Sequence, residues 1–205
     1  MKKITIKTQI VICLLFINQL LISNTFSSFN KEQELLINSG DFQKPMRITL
    51  TTNYQDSLLL RSVCEDIPAD KNDETLKRLI DRMYATVTDT NSQGVGIAAP
   101  QVGILKNVIW VQRFDKQNEP FEYYINPKIL KYSELKQTRR EGCLSIPDIM
   151  DTLDIRSYSI LIQYDNFEQK GVYEMVEGFT AIIFQHEIDH LNGKLFIDYI
   201  KNPLE

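Results

Sequence analysis

The residues best able to do chemistry lie close together near the C-terminal end, in QHEIDHLNG at residues 185–193. The chain has only two histidines, and both are here, as His186 and His190, with Glu187 between them. On a helix, side chains four residues apart point the same way, so both imidazoles can bind one cation. Glu187 would then lie close enough to polarise a water molecule at the metal. A surface helix that matches this pattern by accident is the alternative. Because both histidines are used in the motif and the surrounding face is apolar, we predict a metal-binding helix.

Two histidines are too few for a catalytic metal site, which usually has three protein ligands. One class of metalloproteases places a third histidine further along the same motif, but the corresponding residue here is Phe196, which cannot bind a metal. A carboxylate could serve instead, yet the only acids after His190 are Asp198 and Glu205. The short remaining chain leaves little room for a further helix, so we expect the third ligand upstream.

A cysteine is the best upstream candidate. Cys143 lies in REGCLSIP at residues 140–147, where Gly142 permits close approach of the backbone, and the following serine and proline indicate an irregular turn at a strand edge. Cys64 follows an apolar run and is interpreted as a small buried hydrophobic residue. The same interpretation is open for Cys143, but we favour it as a metal ligand. Three cysteines in all do not indicate a disulfide framework.

The surrounding elements must position these side chains. Apolar residues recur at helical spacing over residues 73–90, and a second helix is expected from about Glu177 to Asn192, with Gly193 as its C-cap. Segments rich in β-branched and aromatic residues predict strands at 107–113, 122–130 and 157–165. Helix, strands and helix in this order predict an α+β fold with mostly antiparallel sheet.

Composition limits the class of protein. The chain has 205 residues, of which 43% are hydrophobic and 24% charged, which is enough apolar content for the core of one domain. The formal net charge is −4, and the sequence pI is about 5.3. This acidic balance argues against direct nucleic-acid binding.

The N-terminal residues differ from the rest of the chain. Lys2, Lys3 and Lys7 precede an apolar run over 10–22, which is followed by small polar residues; this is the pattern of a secretory signal, and the run is short for a membrane span. We expect a signal-like leader or membrane anchor over 1–31, a polar lead-in over 32–45 and a single domain over 46–205. Export or membrane anchoring is favoured. A translation start at Met46, which would leave a cytoplasmic protein, is the alternative.

Three separated motifs resemble those of one family, the peptide deformylases, in order and in spacing. They are GVGIAAPQ at 94–101, EGCLS at 141–145 and QHEIDHLNG at 185–193, and the resemblance covers about residues 46–200. It implies a fold in which the sheets pack around a central HExxH helix. It also implies an activity, the metal-dependent hydrolysis of the N-formyl group from an N-terminal formyl-methionine, which releases formate.

The resemblance assigns roles to the matching positions. Cys143, His186 and His190 would bind one divalent metal ion, Fe²⁺ in the first place, with Zn²⁺, Ni²⁺ or Co²⁺ as substitutes. Glu187 would be the general acid and base, while Gln101 and the backbone N–H of Leu144 would donate hydrogen bonds to the oxyanion.

The same resemblance indicates how the substrate is held. The glycines would let the substrate peptide lie beside the chain like an added strand, along Gly94, Val95, Gly96 and Ile97. Phe179, Ile182 and Ile183 share the His186 face of the predicted helix and either line an apolar pocket for the methionine side chain or belong to the ordinary core. The implied partners are N-formyl-methionyl peptides or nascent chains, together with the ribosome for a cytosolic enzyme or a membrane for a leader-anchored one.

The chain also departs from the family pattern. Asp148 stands where the family usually has glycine after CLS-x-P, and residues 149–157 are unusual. Two other functions stay open beside the deformylase. The first is an exported HExxH metalloprotease, against which Phe196 argues. The second is a non-catalytic protein that binds formyl peptides, against which the intact Glu187 argues.

Overall fold

The protein is described by a computed structural model that covers residues 28–90 and 94–200. The helices are α1 (Lys31–Asn38), α2 (Tyr54–Leu60), α3 (Glu74–Val87) and α4 (Gly178–Leu191). The strands are β1 (Gly96–Ala98), β2 (Val108–Gln112), β3 (Phe121–Tyr132), β4 (Lys136–Cys143), β5 (Ile146–Ser157), β6 (Ser159–Asp165) and β7 (Val172–Glu177). Short 3₁₀ turns occupy Ala99–Val102 and Phe196–Tyr199. Of the predicted leader over residues 1–31, residues 1–27 lie outside the described residues. Residues 28–31 lie within them, where Phe29 is buried and Asn30 caps α1.

Two antiparallel sheets surround the last helix. One sheet has five strands in the order β1-β2-β3-β6-β7, and β4 pairs with β5 in a separate two-stranded sheet. Helix α4 contacts all seven strands, including β4 through Glu141 and Cys143. Ten of the fourteen residues of α4 are buried, so it is the central helix of the fold. The prediction of an α+β fold with antiparallel sheets around the HExxH helix is confirmed.

Local signals account for the elements that were predicted correctly. The Asp73 carboxylate accepts hydrogen bonds from the N–H groups of Thr75 and Leu76, which caps α3 at its first turn. Gly193 has a φ of 68° just after α4, a backbone conformation in which glycine carries no steric cost. The predicted strands correspond to β2, β3 and β6. Strands β4 and β5 were not predicted as strands, because much of their surface is polar and exposed.

The segment expected to be a polar lead-in is a folded part of the protein. Asn30 and Gln33 form a capping box at the start of α1, and Ile37 on its inner face is fully buried. Arg82 of α3 is only 3% exposed, and its guanidinium donates to the carbonyl oxygens of Ile37 at 2.8 Å and Lys44 at 3.0 Å. The folded chain therefore begins before Met46.

Substituting Arg82 by methionine will lower the free energy of unfolding by about 3–5 kcal/mol, because the substitution removes the buried charge that satisfies the carbonyl groups of the N-terminal segment. Denaturant titration of the two proteins measures this loss. The matched control is Arg78→Met on the same helix, where one hydrogen bond at 3.2 Å to the Gly40 carbonyl is lost. Equal losses for the two substitutions would contradict the assignment of Arg82 as the anchor.

Candidate metal centre and active-site cavity

The structure brings the three predicted metal ligands together. His186 and His190 lie one turn apart on α4, and Cys143 is the last residue of β4. The Cys143 Sγ atom is 3.2 Å from His190 Nε2, and one ligand atom from each of the three residues lies within 4.8 Å of the others. A tetrahedral cation with bonds of about 2.0–2.3 Å separates its ligand atoms by about 3.3–3.6 Å. A thiolate and two imidazoles at this spacing fit a single divalent cation.

Strand β4 reaches this centre by running alongside α4. Alternate residues of the strand make successive contacts with the helix: Gln137 with the Gly178 carbonyl, Arg139 with Phe179, Glu141 with His186 and Cys143 with His190. A strand advances about 3.3 Å per residue and a helix about 1.5 Å. The six steps from Gln137 to Cys143 and the twelve steps from Gly178 to His190 therefore both span about 18–20 Å. The period of two explains why every second residue of β4 faces the helix.

Glu141 orients one of the ligands. Its buried carboxylate lies 2.9 Å from His186 Nδ1, which leaves Nε2 of that ring free for a metal. Arg156 donates to both carboxylate oxygens of Glu141, at 2.8 and 3.0 Å, and also to Asp189 at 2.6 Å. Burial raises the pKa of Glu141, but the hydrogen bonds from His186 and Arg156 outweigh it and lower the pKa to about 2. No role for Glu141 was predicted from the sequence, although its place in EGCLS, two residues before Cys143, was an available signal.

Replacing Glu141 by glutamine will weaken metal binding by about 10- to 100-fold, because the carboxylate that fixes the ring of His186 is lost. Titration of the loaded protein with a chelator measures the metal affinity directly. Glu177→Gln is the matched control, since Glu177 is exposed and makes no side-chain cap at the start of α4. An unchanged affinity in the Glu141 variant would show that His186 is held without this carboxylate.

The charge around the ligands favours a bound cation. Burial lowers the pKa of His186, but contacts with Cys143 and Glu141 more than compensate and raise it well above the usual value. The negative groups therefore attract positive charge at this point. Burial lowers the pKa of His190 well below the usual value, which keeps that imidazole neutral and able to act as a ligand.

Phe196, where some metalloproteases have a third histidine, is buried and stacks against the His186 ring at 6.0 Å.

Glu187 is the buried carboxylate beside the ligands. It is 4% exposed, and its Oε2 atom has no hydrogen-bond partner among the described residues. Burial raises the pKa of Glu187 to about 7; attraction by His186 opposes this rise and repulsion by Glu141 adds to it. A carboxyl group that titrates near neutral pH can both accept and release a proton.

A cavity of about 690 Å³ opens beside these groups. Both Glu187 and His186 line it, as do most of the residues predicted to bind substrate, namely Gly94, Val95, Gly96, Phe179, Ile182 and Ile183. Ile97 does not line it. Successive side chains of β1 point to opposite faces, so Ile97 is fully buried in the core while Gly96 approaches Glu187. The Ile97 side chain therefore faces the core, and its predicted place beside the substrate peptide stays a prediction.

The two predicted oxyanion donors lie at the same cavity. Gln101 is 2% exposed; its Oε1 accepts a hydrogen bond from the Ala98 N–H at 2.8 Å, which turns its Nε2 toward Cys143 Sγ at 3.5 Å. Leu144 lies in the tight turn between β4 and β5 and lines the cavity. Both residues are thus adjacent to the ligand Cys143.

The cavity rim includes residues that sequence analysis did not assign to the site. Strand β5 bulges outward here, since Gly142 pairs with Met150 but the next residue, Cys143, pairs with Ile146. Asp148 lies in this bulge with a φ of 63°, and both it and Met150 line the cavity. A left-handed backbone explains why glycine suits this position and why aspartate, which tolerates that conformation better than most residues, can replace it. Only the pairing of the strands reveals this bulge.

Within residues 28–90 and 94–200, no helix has the length and apolar character needed to cross a membrane. Cys64, predicted to be structural, is buried, and burial raises the pKa of its thiol to about 12.

The fold and the site are those of a metal-dependent hydrolase, in which an HExxH helix and one cysteine offer candidate ligands for a single cation. A family profile described as polypeptide deformylase matches residues 49–204. A peptide deformylase from a Caulobacter species is 40% identical over 155 residues, which span 75% of this chain and 87% of that protein. One from Thermotoga neapolitana is 46% identical over 137 residues, covering 65% and 77%. The chain belongs to the polypeptide deformylase family.

Solved structures agree with this assignment. A class I type b peptide deformylase from Acinetobacter baumannii, bound to Met-Ala-Ser, has a TM-score of 0.68 and 34% identity, and the match covers 77% of this chain and 99% of that one. The peptide deformylase from Thermotoga maritima has a TM-score of 0.66 and 37% identity over the same shares. The protein is therefore an enzyme that hydrolyses the N-formyl group of peptide N-termini, and the predicted family and activity are confirmed. The metalloprotease and binding-protein alternatives are not favoured.

Proposed function

We propose that this enzyme removes formate from N-terminal formyl-methionine in peptides and nascent chains, using one divalent cation held by Cys143, His186 and His190. The observation that carries the proposal is that Cys143, His186 and Glu187 line one cavity, while His190 completes the ligand group with its Nε2 3.2 Å from Cys143 Sγ. Fe²⁺ is the proposed native ion, with Zn²⁺, Ni²⁺ or Co²⁺ as substitutes, because a thiolate with two imidazoles suits these borderline metals.

When bound, such a cation supplies Lewis acidity that activates water near neutral pH and polarises the formyl carbonyl. Glu187 accepts the proton of the attacking water and passes it to the amine nitrogen as the C–N bond breaks. Its pKa of about 7 suits both transfers, since a group that titrates near the working pH is an effective base and then an effective acid. The products are formate and a free peptide N-terminus.

Negative charge develops on the formyl oxygen during attack. The Nε2 of Gln101 and the backbone N–H of Leu144 are the proposed donors to this oxygen. Gln101 is preorganised for that role because the Ala98 N–H holds its other amide atom. Donors that are already in place stabilise the developing charge without reorganisation at the moment of reaction.

The apolar wall of the cavity is the proposed site for the methionine side chain. Ile182 and Ile183 are buried on α4, and Phe179 lies one turn earlier. The peptide Met-Ala-Ser is bound to the Acinetobacter baumannii relative, which supports a short N-terminal peptide as the ligand here.

Formate release from formyl-Met-Ala-Ser tests the proposal. The protein is purified without oxygen and loaded in parallel with Fe²⁺, Zn²⁺, Ni²⁺ or Co²⁺. Acetyl-Met-Ala-Ser is the matched substrate, since it differs only in the acyl group. We expect rapid formate release and very little acetate, with Fe²⁺ among the most active ions. A folded, metal-loaded protein that releases no formate with any of the four ions would refute the function.

We also propose that the N-terminal residues export the enzyme or associate it with a membrane, where it acts on formylated peptides. The basic start and the apolar run support this proposal. The docking of α1 through Arg82 supports a chain that begins before Met46; a chain starting at Met46 would instead serve nascent chains at the ribosome. Mass spectrometry of the native N-terminus, combined with cell fractionation, distinguishes a chain that begins before Met46 from one that begins at Met46. An N-terminus at Met46 in the soluble cytoplasmic fraction would refute the export proposal.

A further inference from the structure

Phe179 is the wall residue of the cavity whose ring is held from two sides. The guanidinium carbon of Arg139 lies 4.0 Å from the centroid of its ring, a cation–π contact from β4. The ring of Phe114 lies 5.0 Å away at an interplanar angle of 44°. Phe179 itself is only partly buried and belongs to the first turn of α4. The ring also packs against the core cluster that includes Ile183 and Phe184, and Arg139 is the exposed residue in contact with it.

The two sides of this clamp differ in rigidity. Phe114 follows Arg113, which is 1% exposed and bonds to Asp115 at 2.7 Å and Glu174 at 2.7 Å. This buried ionic network anchors the Phe114 side. Arg139 is exposed, and among the described residues its guanidinium makes no hydrogen bond or ion pair, only the contact with the Phe179 ring. A single substitution of Arg139 can therefore remove its contact with the Phe179 ring.

Arg139 also differs in role from its neighbours on the α4-facing side of β4. Glu141 and Cys143 contact the metal-binding histidines, and Gln137 bonds the backbone where α4 begins. Arg139 instead contacts a side chain that lines the substrate cavity. Ile182 and Ile183 of α4 line the same cavity. They are only 3% and 4% exposed, so the surrounding packing leaves them little freedom to move. Rotation of the Phe179 ring is thus the simplest way to change the width of the pocket.

We propose that Arg139 is a positioning residue that sets the selectivity of the enzyme for the first side chain of the substrate, an inference that rests on the proposed function. By holding the Phe179 ring, Arg139 keeps the pocket narrow, so that it admits the slender methionine chain and disfavours an aromatic one. Loss of Arg139 lets the ring turn aside, and larger side chains then enter.

The test compares kcat and KM for formyl-Met-Ala-Ser and formyl-Phe-Ala-Ser. In Arg139→Ala, the ratio of the two kcat/KM values, methionine over phenylalanine, is expected to fall by about two- to fivefold, the size of an exposed cation–π contact. The change should appear mainly in KM, because Arg139 does not touch the reacting atoms. Arg139→Lys keeps a cation and should restore most of the selectivity. Arg139→Met keeps the length of the side chain without its charge and should resemble the alanine variant.

Lys131→Ala, which removes an exposed cation from β3, is the matched control and should leave the ratio unchanged. An unchanged ratio in Arg139→Ala, or an equal loss of activity toward both substrates together with a loss of bound metal, would overturn the inference. A folded, metal-loaded parent enzyme that released no formate from either peptide would instead refute the proposed function.

Discussion

Replacing Glu187 by glutamine will lower kcat/KM for formyl-Met-Ala-Ser by about 10²- to 10⁴-fold, while the metal content stays the same. Glutamine has the same shape as glutamate but cannot take the proton of the attacking water at neutral pH. The proposed ligand atoms belong to Cys143, His186 and His190, so the substitution changes none of them. Formate release and metal analysis on the same samples measure both quantities.

The environment of Glu187 allows the loss of activity to be attributed to proton transfer and not to unfolding. Its Oε2 has no partner among the described residues, so the substitution breaks no hydrogen bond of that atom that could unfold the protein. Glu177→Gln makes the same chemical change at an exposed position at the start of α4 and should leave formate release unaltered. Full activity in the Glu187 variant would mean that another group transfers the proton, and the mechanism proposed above would be wrong.

Replacing Gly96 by alanine will lower kcat/KM by about 10²-fold without loss of metal, because the new methyl group occupies the space of the general base. A Cβ atom at this position would lie 2.6 Å from Glu187 Oε1 and 2.8 Å from Ile183 Cγ2. Both distances are shorter than van der Waals contact, so Glu187 must move. Displacement of a catalytic group by about 1 Å can cost about 10²-fold in rate.

Gly94→Ala is the matched comparison on the same segment. Its Cβ would lie 3.0 Å from Leu144 Cδ1 and from Val87 Cγ2, a milder approach than at Gly96 and one that does not involve Glu187. We expect a smaller loss of kcat/KM than for Gly96→Ala. Steady-state kinetics on both variants, with metal analysis of each, test the difference. If the two alanine variants lost equal activity, the close approach of β1 to Glu187 would not explain the requirement for glycine.

Sequence alone determined the local parts of the site. The spacing of His186 and His190 was sufficient because the helix itself places residues four apart on one face. The sequence also excluded a histidine as the third ligand, because no other histidine exists. It argued against a downstream carboxylate, because few acids follow the motif. The cap at Gly193 and the helical spacing of α3 were readable because such signals depend on neighbours along the chain.

Tertiary structure decided the contacts between distant segments. The Glu141–Arg156–Asp189 network depends on β4 lying along α4, and no local pattern encodes the pairing of a polar strand with a helix far along the chain. The direction of Ile97 depends on which face of β1 meets the core. Phe179 could be assigned to a helix face from its spacing, but its clamp by Arg139 requires the strand and the helix to be in register. Arg82 of α3 is buried because the segment that contains α1 covers it. The direction in which a side chain points along a helix or strand follows from the local sequence. The residue that it contacts in another element depends on how the elements pack, so only the folded structure shows these contacts.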